Sequence, residues 1–459
     1  METQHSGAVQ EHNQPQNLRR RLTAAVLAGT LLFGASASEG HDEAHQGPVS
    51  AIELMPDAQP IPPYTTDYVH SFVKGKTTDT VEKLLAQPTD PDIFDEFKKA
   101  QDKLSEITLG KEGKISPEAS YYNYLEAQYV SRKAMADKYG VTIYDPTDSV
   151  TAMQQGLHQG AFNKKPLPPF SFFFSEAKNY LGRFGIDLTI ADDKTKGNGE
   201  HAMNIPTAAE LEAYETKERL TQLVASVSLY TQEYVDLANN GKGTRVSLAA
   251  NPDSSYAAFT NPKTHEKDEI TLNISQPWFD QSTGVNVMDH ELYHDVHHAL
   301  YGDIYSKDPG FEVFSGTPYK DTIDPRYTLD TLKAYTMPID TEVLNARGRG
   351  DFKQACVLQA SINQYVDEQG PDVAFATRYG GSKNVLEDRA ELGQSIPGGK
   401  YSTLLSESMP RIRAKFVRIV SELETIIPRT MSFFIAMAER KPYAFKKTDC
   451  NQVLHAKGG

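Results

Sequence analysis

The chain is poor in cysteine and in positive charge, and it carries no long apolar run beyond its first forty residues. Its formal net charge is −14, which argues against nucleic acid or an anionic membrane as the main partner, since both bind basic patches. We therefore expect no nucleic-acid partner and no stable membrane insertion of the mature chain. Its two cysteines, Cys356 and Cys450, are not spaced like zinc ligands. One disulfide or two unrelated buried thiols are both compatible with them.

The N-terminus has the pattern of an export signal. The basic cluster Arg19–Arg21 precedes an apolar run, Leu22–Phe33, and Ala35-Ser36-Ala37 follows as an A-x-A cleavage site. We expect residues 1–37 to be a cleaved export signal, with the twin-arginine route possible. The mature protein would then be periplasmic or extracellular. The alternative is a disordered tail that happens to contain a short helix.

The remaining chain divides into four parts by its composition and by the spacing of its apolar residues. Residues 38–75 are polar and rich in proline, which predicts a flexible linker. Residues 76–205 carry mostly helical patterns and predict a helical N-terminal domain. Residues 206–430 hold the motifs described below, and residues 431–459 form a C-terminal tail. A chain of 459 residues is long enough for this many domains.

The motif His290-Glu291-x-x-His294 indicates a metal site on a helix. Residues four apart lie on one face of a helix, so both imidazoles can reach one zinc ion, with Glu291 beside them as a candidate general base. An apolar stripe on the opposite side would pack into a core. Its members are Met288, Leu292, Val296 and Ala299. The alternative is a surface helix with ordinary histidines.

Strand patterns come shortly before this helix. Thr207 and Glu210 predict a capping box, which opens a helical region that ends near Ala238. Residues 245–250 and 270–274 then alternate between apolar and polar positions, as half-buried strands do. The order of helix, strands and metal-binding helix predicts an α+β, zincin-like domain with a small twisted sheet. A peptide substrate could pair along a sheet edge such as Ile270–Ile274.

No nearby histidine has the spacing expected of a third zinc ligand. His298 follows His290 by two turns, a rise of about 12 Å, so the two cannot bind one zinc ion. For His297 and His298 we expect roles outside the ligand set. A carboxylate is then the expected ligand. The downstream candidates are Glu312, Glu342, Glu387 and Glu391, and the residues alone leave the choice among them open, with Glu342 a fair candidate on a helical pattern.

Two segments together resemble a known family. The HExxH motif, followed by Tyr379-Gly380 and Glu387-x-x-Ala390-Glu391, resembles the catalytic domain of anthrax lethal factor-like zinc metallopeptidases. The resemblance implies that Glu387 binds zinc, that Tyr379 donates a hydrogen bond to the developing oxyanion, and that Glu391 lies just outside the ligands. Two departures from the family pattern stand out. An insertion is implied around residues 303–370, and Tyr293 replaces a small residue before the second histidine.

The sequence therefore predicts an exported zinc metallopeptidase that acts on a protein or peptide. Zn²⁺ would be bound by His290, His294 and Glu387, with Glu291 and Tyr379 as catalytic residues. Two alternatives stay open: a non-catalytic binding or adhesion module on a zincin scaffold, and a zinc hydrolase of a non-peptide amide or ester. Glu387 and Glu391 could also lie on a solvated helix face, paired with Arg389.

Overall fold

The structure is a computed structural model. It describes Tyr129 and residues 132–162, 166–192, 202–239, 242–254, 256–261, 268–280, 285–301, 314–316, 323–398 and 408–437, with Phe311, Tyr319, Leu404 and Cys450. The predicted export signal, the linker and the first part of the helical domain lie outside the described residues.

The described residues form helices and a small sheet. The helices are α1 (Thr147–Phe162), α2 (Phe170–Gly182), α3 (Ala208–Glu212), α4 (Tyr214–Val227), α5 (Gln232–Ala238), α6 (Val287–Tyr301), α7 (Leu329–Gly348), α8 (Phe352–Gln369), α9 (Arg378–Ser382), α10 (Val385–Gly393), α11 (Ser395–Gly398), α12 (Pro410–Ile426) and α13 (Pro428–Ala436). The strands are β1 (Ile186–Ile190), β2 (Thr244–Ala249), β3 (Ala258–Asn261), β4 (Asp268–Asn273), β5 (Phe279–Asp280) and β6 (Val285–Asn286). None of these helices is both long and apolar enough to cross a membrane.

Four strands form one mixed sheet in the order β1-β2-β4-β3. β1, β2 and β4 are parallel, and β3 runs antiparallel to β4 at the edge. The strand expected at residues 270–274 is therefore present as β4, but it is interior and buried rather than an open edge. Among the described strands, β3 is the edge strand nearest the metal-binding helix, and it shows little alternation in sequence.

One face of the sheet packs against the helices. Leu188, Val246, Ile270 and Thr260 are register partners across the four strands, so they share this face. The three apolar members belong to one large core cluster with Met288 of α6. The apolar face of the sheet thus packs against α6, and this packing positions the metal-binding motif.

The architecture is α+β, as the sequence predicts. The capping box at Thr207 and Glu210 is present, but the helical region that it opens is divided into α3, α4 and α5. β1 pairs with β2, although the domain boundary expected after residue 205 falls between them. The sheet therefore draws on chain from both sides of that boundary.

A helical hairpin occupies much of the expected insertion. α7 and α8 pack against each other around a cluster of their own, which includes Val343, Ala346 and Ile362. Cys356 on α8 forms a disulfide with Cys450, with the Cα atoms 5.3 Å apart. The C-terminal segment is therefore covalently joined to this hairpin.

Candidate metal centre

Helix α6 is held at its first turn by side chains from neighbouring elements. The Asn286 side chain accepts a hydrogen bond from the backbone N–H of Met288 at 2.9 Å. The Asp289 carboxylate accepts hydrogen bonds from the hydroxyls of Ser226 and Tyr230. The apolar positions Met288, Leu292 and Val296 are buried as expected, but so is the histidine face. The motif therefore lies inside the protein, where water competes little with a bound metal ion.

Three buried side chains converge, two from α6 and one from α10. His290 Nε2 lies 3.1 Å from Glu387 Oε2, His294 Nε2 lies 3.4 Å from the same oxygen, and the two Nε2 atoms are 3.1 Å apart. Bonds of about 2.0 Å in a tetrahedral site separate two ligands by roughly 3.3 Å. The spacing and the donor set of two imidazoles and one carboxylate fit zinc, so the group could hold this metal ion.

The carboxylate and the imidazoles of this group shift one another's pKa values. Burial alone would raise the pKa of Glu387, but His294 and His290 hold it well below its usual value. Burial opposes charge on His290, yet the hydrogen bond with Glu387 and the nearby Glu391 and Glu291 raise its pKa to about 9. Both shifts reflect the attraction between the buried carboxylates and the imidazole of His290.

Glu391 lies on the far side of His290 from the convergence point. Its Oε1 is 3.6 Å from His290 Nδ1, and its Oε2 accepts a hydrogen bond from the Gln394 side chain at 2.9 Å. Burial raises the pKa of Glu391 to about 7, although His290 opposes the shift. A carboxylate at the second imidazole nitrogen orients a ligand histidine and fixes its tautomer. The sequence alone gave no reason to expect that Gln394 contacts Glu391, which in turn contacts His290.

A helix cap at Asn384 and a close approach at Gly380 determine the conformation of the segment that carries Tyr379 and Glu387. The Asn384 side chain accepts hydrogen bonds from the backbone N–H groups of Leu386 and Glu387, at 2.8 and 3.1 Å, and so caps α10. A Cβ atom at Gly380 would lie 3.0 Å from Asp388 Cα and 3.3 Å from Glu391 Cγ. Glycine after Tyr379 thus permits α9 to approach the helix that carries Glu387.

Tyr379 lies beside the convergence point and is half-buried. Its ring centroid is 6.3 Å from that of His290. Burial, followed by the charges of Glu387, Glu291 and Glu391 and a hydrogen bond with Glu387, raises the pKa of its hydroxyl. The phenol therefore keeps its proton and can act as a hydrogen-bond donor.

Glu291 contacts the edge strand of the sheet. Thr260 Oγ1 on β3 lies 2.6 Å from Glu291 Oε2 and donates a hydrogen bond to it. No spacing rule in the sequence links the two residues, because Thr260 precedes the motif on a separate strand. Sequence reasoning missed Thr260 for this reason.

The other candidates fall elsewhere. Glu342 is exposed on α7, where it accepts a hydrogen bond from the Asn345 side chain at 3.3 Å, and it is not part of the convergent group. Glu312 lies outside the described residues. His297 is buried, with its ring 4.7 Å from that of Tyr301. Burial, aided by Arg389, lowers the pKa of His297 to about 2, so its imidazole is neutral.

Comparisons with known proteins identify no family. No protein-family model matches the sequence, and no curated protein matches it. One crystal structure is similar, with a TM-score of 0.32 and 15% identity. It is of a Bacteroides caccae protein provisionally assigned as a zinc-binding metallo-peptidase. The match covers 62% of this chain and 92% of that one. A likeness this weak carries no argument, and the site rests on its own geometry.

Proposed function

We propose that this protein is a zinc-dependent metallopeptidase. The observation that carries the proposal is the convergence of His290 Nε2, His294 Nε2 and Glu387 Oε2, whose ligand atoms lie within 4.8 Å of one another. Two imidazoles and one carboxylate form a ligand set of catalytic zinc sites, which keep one position open. The ordered pair of motifs, with its resemblance to the lethal factor-like metallopeptidases, supports the same assignment.

The surrounding residues suit hydrolysis of an amide bond. When bound, zinc would polarise the scissile carbonyl and lower the pKa of a water molecule to about 7. Glu291 follows a ligand directly and would accept a proton from the attacking water, then deliver it to the leaving amine. Its carboxylate is already oriented by Thr260.

Tyr379 would stabilise the negative charge that develops on the carbonyl oxygen. Its raised pKa keeps the phenolic proton available for donation. A buried donor aimed at an oxyanion typically contributes about 3–4 kcal/mol to transition-state stabilisation. Glu391 and Gln394 would hold the imidazole of His290 in place through the contacts described above.

The substrate that this arrangement suits is an extended peptide. β3 is the edge strand, and within the described part of the chain its ladder partner is β4. An extended chain could add to its other side through backbone hydrogen bonds. Because Thr260 of β3 contacts Glu291, such a peptide would pass next to the general base. Export of the enzyme is proposed from the N-terminal sequence pattern alone.

The first experiment is elemental analysis of bound zinc per chain in the wild type and two variants. We expect about one zinc ion per wild-type chain, loss of zinc in Glu387→Ala, and retention in the matched control Glu342→Ala. Loss in Glu342→Ala with retention in Glu387→Ala would overturn the ligand assignment. A wild-type chain that binds no zinc would overturn the zinc site itself.

A peptide-library digestion then tests the reaction. We expect cleavage that a chelator abolishes and added zinc restores, and Glu291→Gln should keep its zinc while losing nearly all turnover. Zinc binding without cleavage of any peptide would favour a binding module. Cleavage of esters or non-peptide amides alone would favour the other hydrolase.

A further inference from the structure

Helix α10 carries two charged side chains directly after Glu387, and both are buried. Asp388 and Arg389 are each 0% exposed. Each meets an opposite charge on α12: Lys415 Nζ lies 2.6 Å from Asp388 Oδ2, and Arg389 Nη2 pairs with Glu422 Oε2. The helix of the proposed zinc ligand is therefore joined to α12 by two ion pairs of opposite polarity.

The Asp388–Lys415 pair is surrounded by further partners. Lys415 Nζ also donates a hydrogen bond to the carbonyl oxygen of Ala374 at 2.7 Å. The Tyr319 hydroxyl donates to Asp388 Oδ2 at 2.9 Å. The ring of Phe375 lies 4.3 Å from the ammonium, in the geometry of a cation–π contact. Backbone, hydroxyl and ring together fix both charges in one position.

The second pair extends to the metal-binding helix. Arg389 Nη2 donates a hydrogen bond to the Tyr301 hydroxyl at 3.1 Å, and the guanidinium carbon lies 5.0 Å from the Tyr301 ring centroid. Tyr301 is the last residue of α6. Arg389 therefore contacts both α12 and the helix that carries His290 and His294.

A buried ion pair often adds little stability, but it restricts how one helix can be oriented against another. Removing two charges from water is so unfavourable that an apolar pair of similar volume often stabilises a fold as well or better. A rotated or shifted α10 would leave Asp388 or Lys415 charged and without its partner. The pair therefore selects one rotation of the helix where an apolar contact would tolerate several.

We propose that Lys415 is a positioning residue for the zinc ligand Glu387, acting through Asp388. The inference rests on the proposed zinc site. A side-chain tip lies roughly 5–6 Å from a helix axis, so rotating α10 by about 20° would move the Glu387 carboxylate by about 2 Å. Metal–ligand distances vary by only about ±0.2 Å in working sites. The rotation that Lys415 selects thus decides whether Glu387 can join the two histidines.

The test is zinc affinity, measured by competition with a chromophoric chelator, in three variants. Lys415→Met removes the ammonium but leaves Asp388 charged, and Asp388→Asn/Lys415→Met removes both charges and so folds without a lone buried ion. The control is Lys217→Met, since Lys217 is also a buried lysine in an ion pair, 2.7 Å from Glu212. We expect both Lys415 variants to bind zinc about 10–100-fold more weakly, the range for residues that support a ligand. The control should bind zinc as the wild type does.

The visible spectrum of the Co²⁺-substituted proteins provides a readout that reduced stability alone would not change. We expect altered band positions or intensities in the double variant and none in Lys217→Met. A folded double variant with wild-type zinc affinity and a wild-type Co²⁺ spectrum overturns the inference and leaves the proposed function intact. If Lys415→Met alone does not fold, the double variant decides. If the wild type binds no zinc, the proposed function fails and this inference falls with it.

Discussion

The ring of Tyr293 occupies the space that a side chain at Gly393 would need. A Cβ atom at Gly393 would overlap the ring carbons of Tyr293. Tyr293 is fully buried on α6, and Gly393 is the last residue of α10. The bulky residue before the second histidine, which departs from the resembled family, is thus accommodated by a glycine on the opposing helix.

This contact predicts that Gly393→Ala destabilises the fold by about 1–3 kcal/mol, the usual effect of overpacking a core. Chemical denaturation measures the change. The control is Gly182→Ala at the end of α2, where no heavy atom lies within 4 Å of the added Cβ. That variant should be neutral or slightly more stable, because alanine is the better helix former. Introducing Gly393→Ala into a Tyr293→Leu protein should be less destabilising, and an unchanged loss there would contradict the proposed steric cause.

Thr260 should support turnover rather than metal binding. Its hydroxyl donates to the Glu291 carboxylate, and a hydrogen bond to a charged group contributes about 1.5–3 kcal/mol. Thr260→Val should therefore lower kcat by about 10–100-fold with its zinc content unchanged, whereas Thr260→Ser should stay close to wild type. Steady-state kinetics on a cleaved peptide measures this. Thr189→Val, which removes a hydroxyl from β1 instead, is the matched control, and an equal loss of activity there would point to general damage to the sheet.

Tyr379 should affect turnover far more than zinc binding, although its hydroxyl hydrogen-bonds Glu387. Tyr379→Phe removes the phenolic donor while keeping the ring, so kcat should fall by about 10²–10³ with little change in KM. Zinc stoichiometry should match that of the wild type. A variant with a wild-type kcat would remove Tyr379 from the mechanism.

The Arg389–Glu422 pair should make part of the stability depend on acid pH. Burial opposes ionisation of Glu422, but Arg389 outweighs it, so the pKa of Glu422 is lowered below 4.5 in the folded protein. The ionised carboxylate thus stabilises the fold above about pH 4.5, and this contribution is lost as the pH falls through the lowered pKa. Glu422→Gln should have a smaller unfolding free energy at pH 7 and lose less of it between pH 5 and pH 3. Denaturant titrations across that range test it, and curves parallel to those of the wild type would refute it.

The sequence predicted the elements whose signals are local. α6, β2 and β4 carry period or spacing that neighbouring residues alone determine, and the capping box at Thr207 satisfies backbone groups within its own turn. Glu387 was favoured because Tyr379-Gly380 and Glu387-x-x-Ala390-Glu391, after the HExxH motif, resemble the motifs of a known family. The structure brings it to His290 and His294, as the proposed site requires.

Contacts between distant segments could not be predicted in this way. β4 has the pattern of a half-buried strand, but its interior place depends on β3, whose pairing no local signal reveals. Lys415 lies on an amphipathic helix where a basic residue ordinarily faces water, and only the packed structure places it against Asp388. The Thr260–Glu291 contact likewise joins a strand to a helix through tertiary packing.

The place of β1 in the sheet limits where a maturation cut of the chain could fall. If this chain were cut after residue 205 and the N-terminal fragment left, the parallel partner of β2 would leave with it. β2 would then present unpaired backbone groups along the sheet, a template for aggregation. A productive maturation cut should therefore fall upstream of Ile186, or the two fragments should stay associated after cleavage.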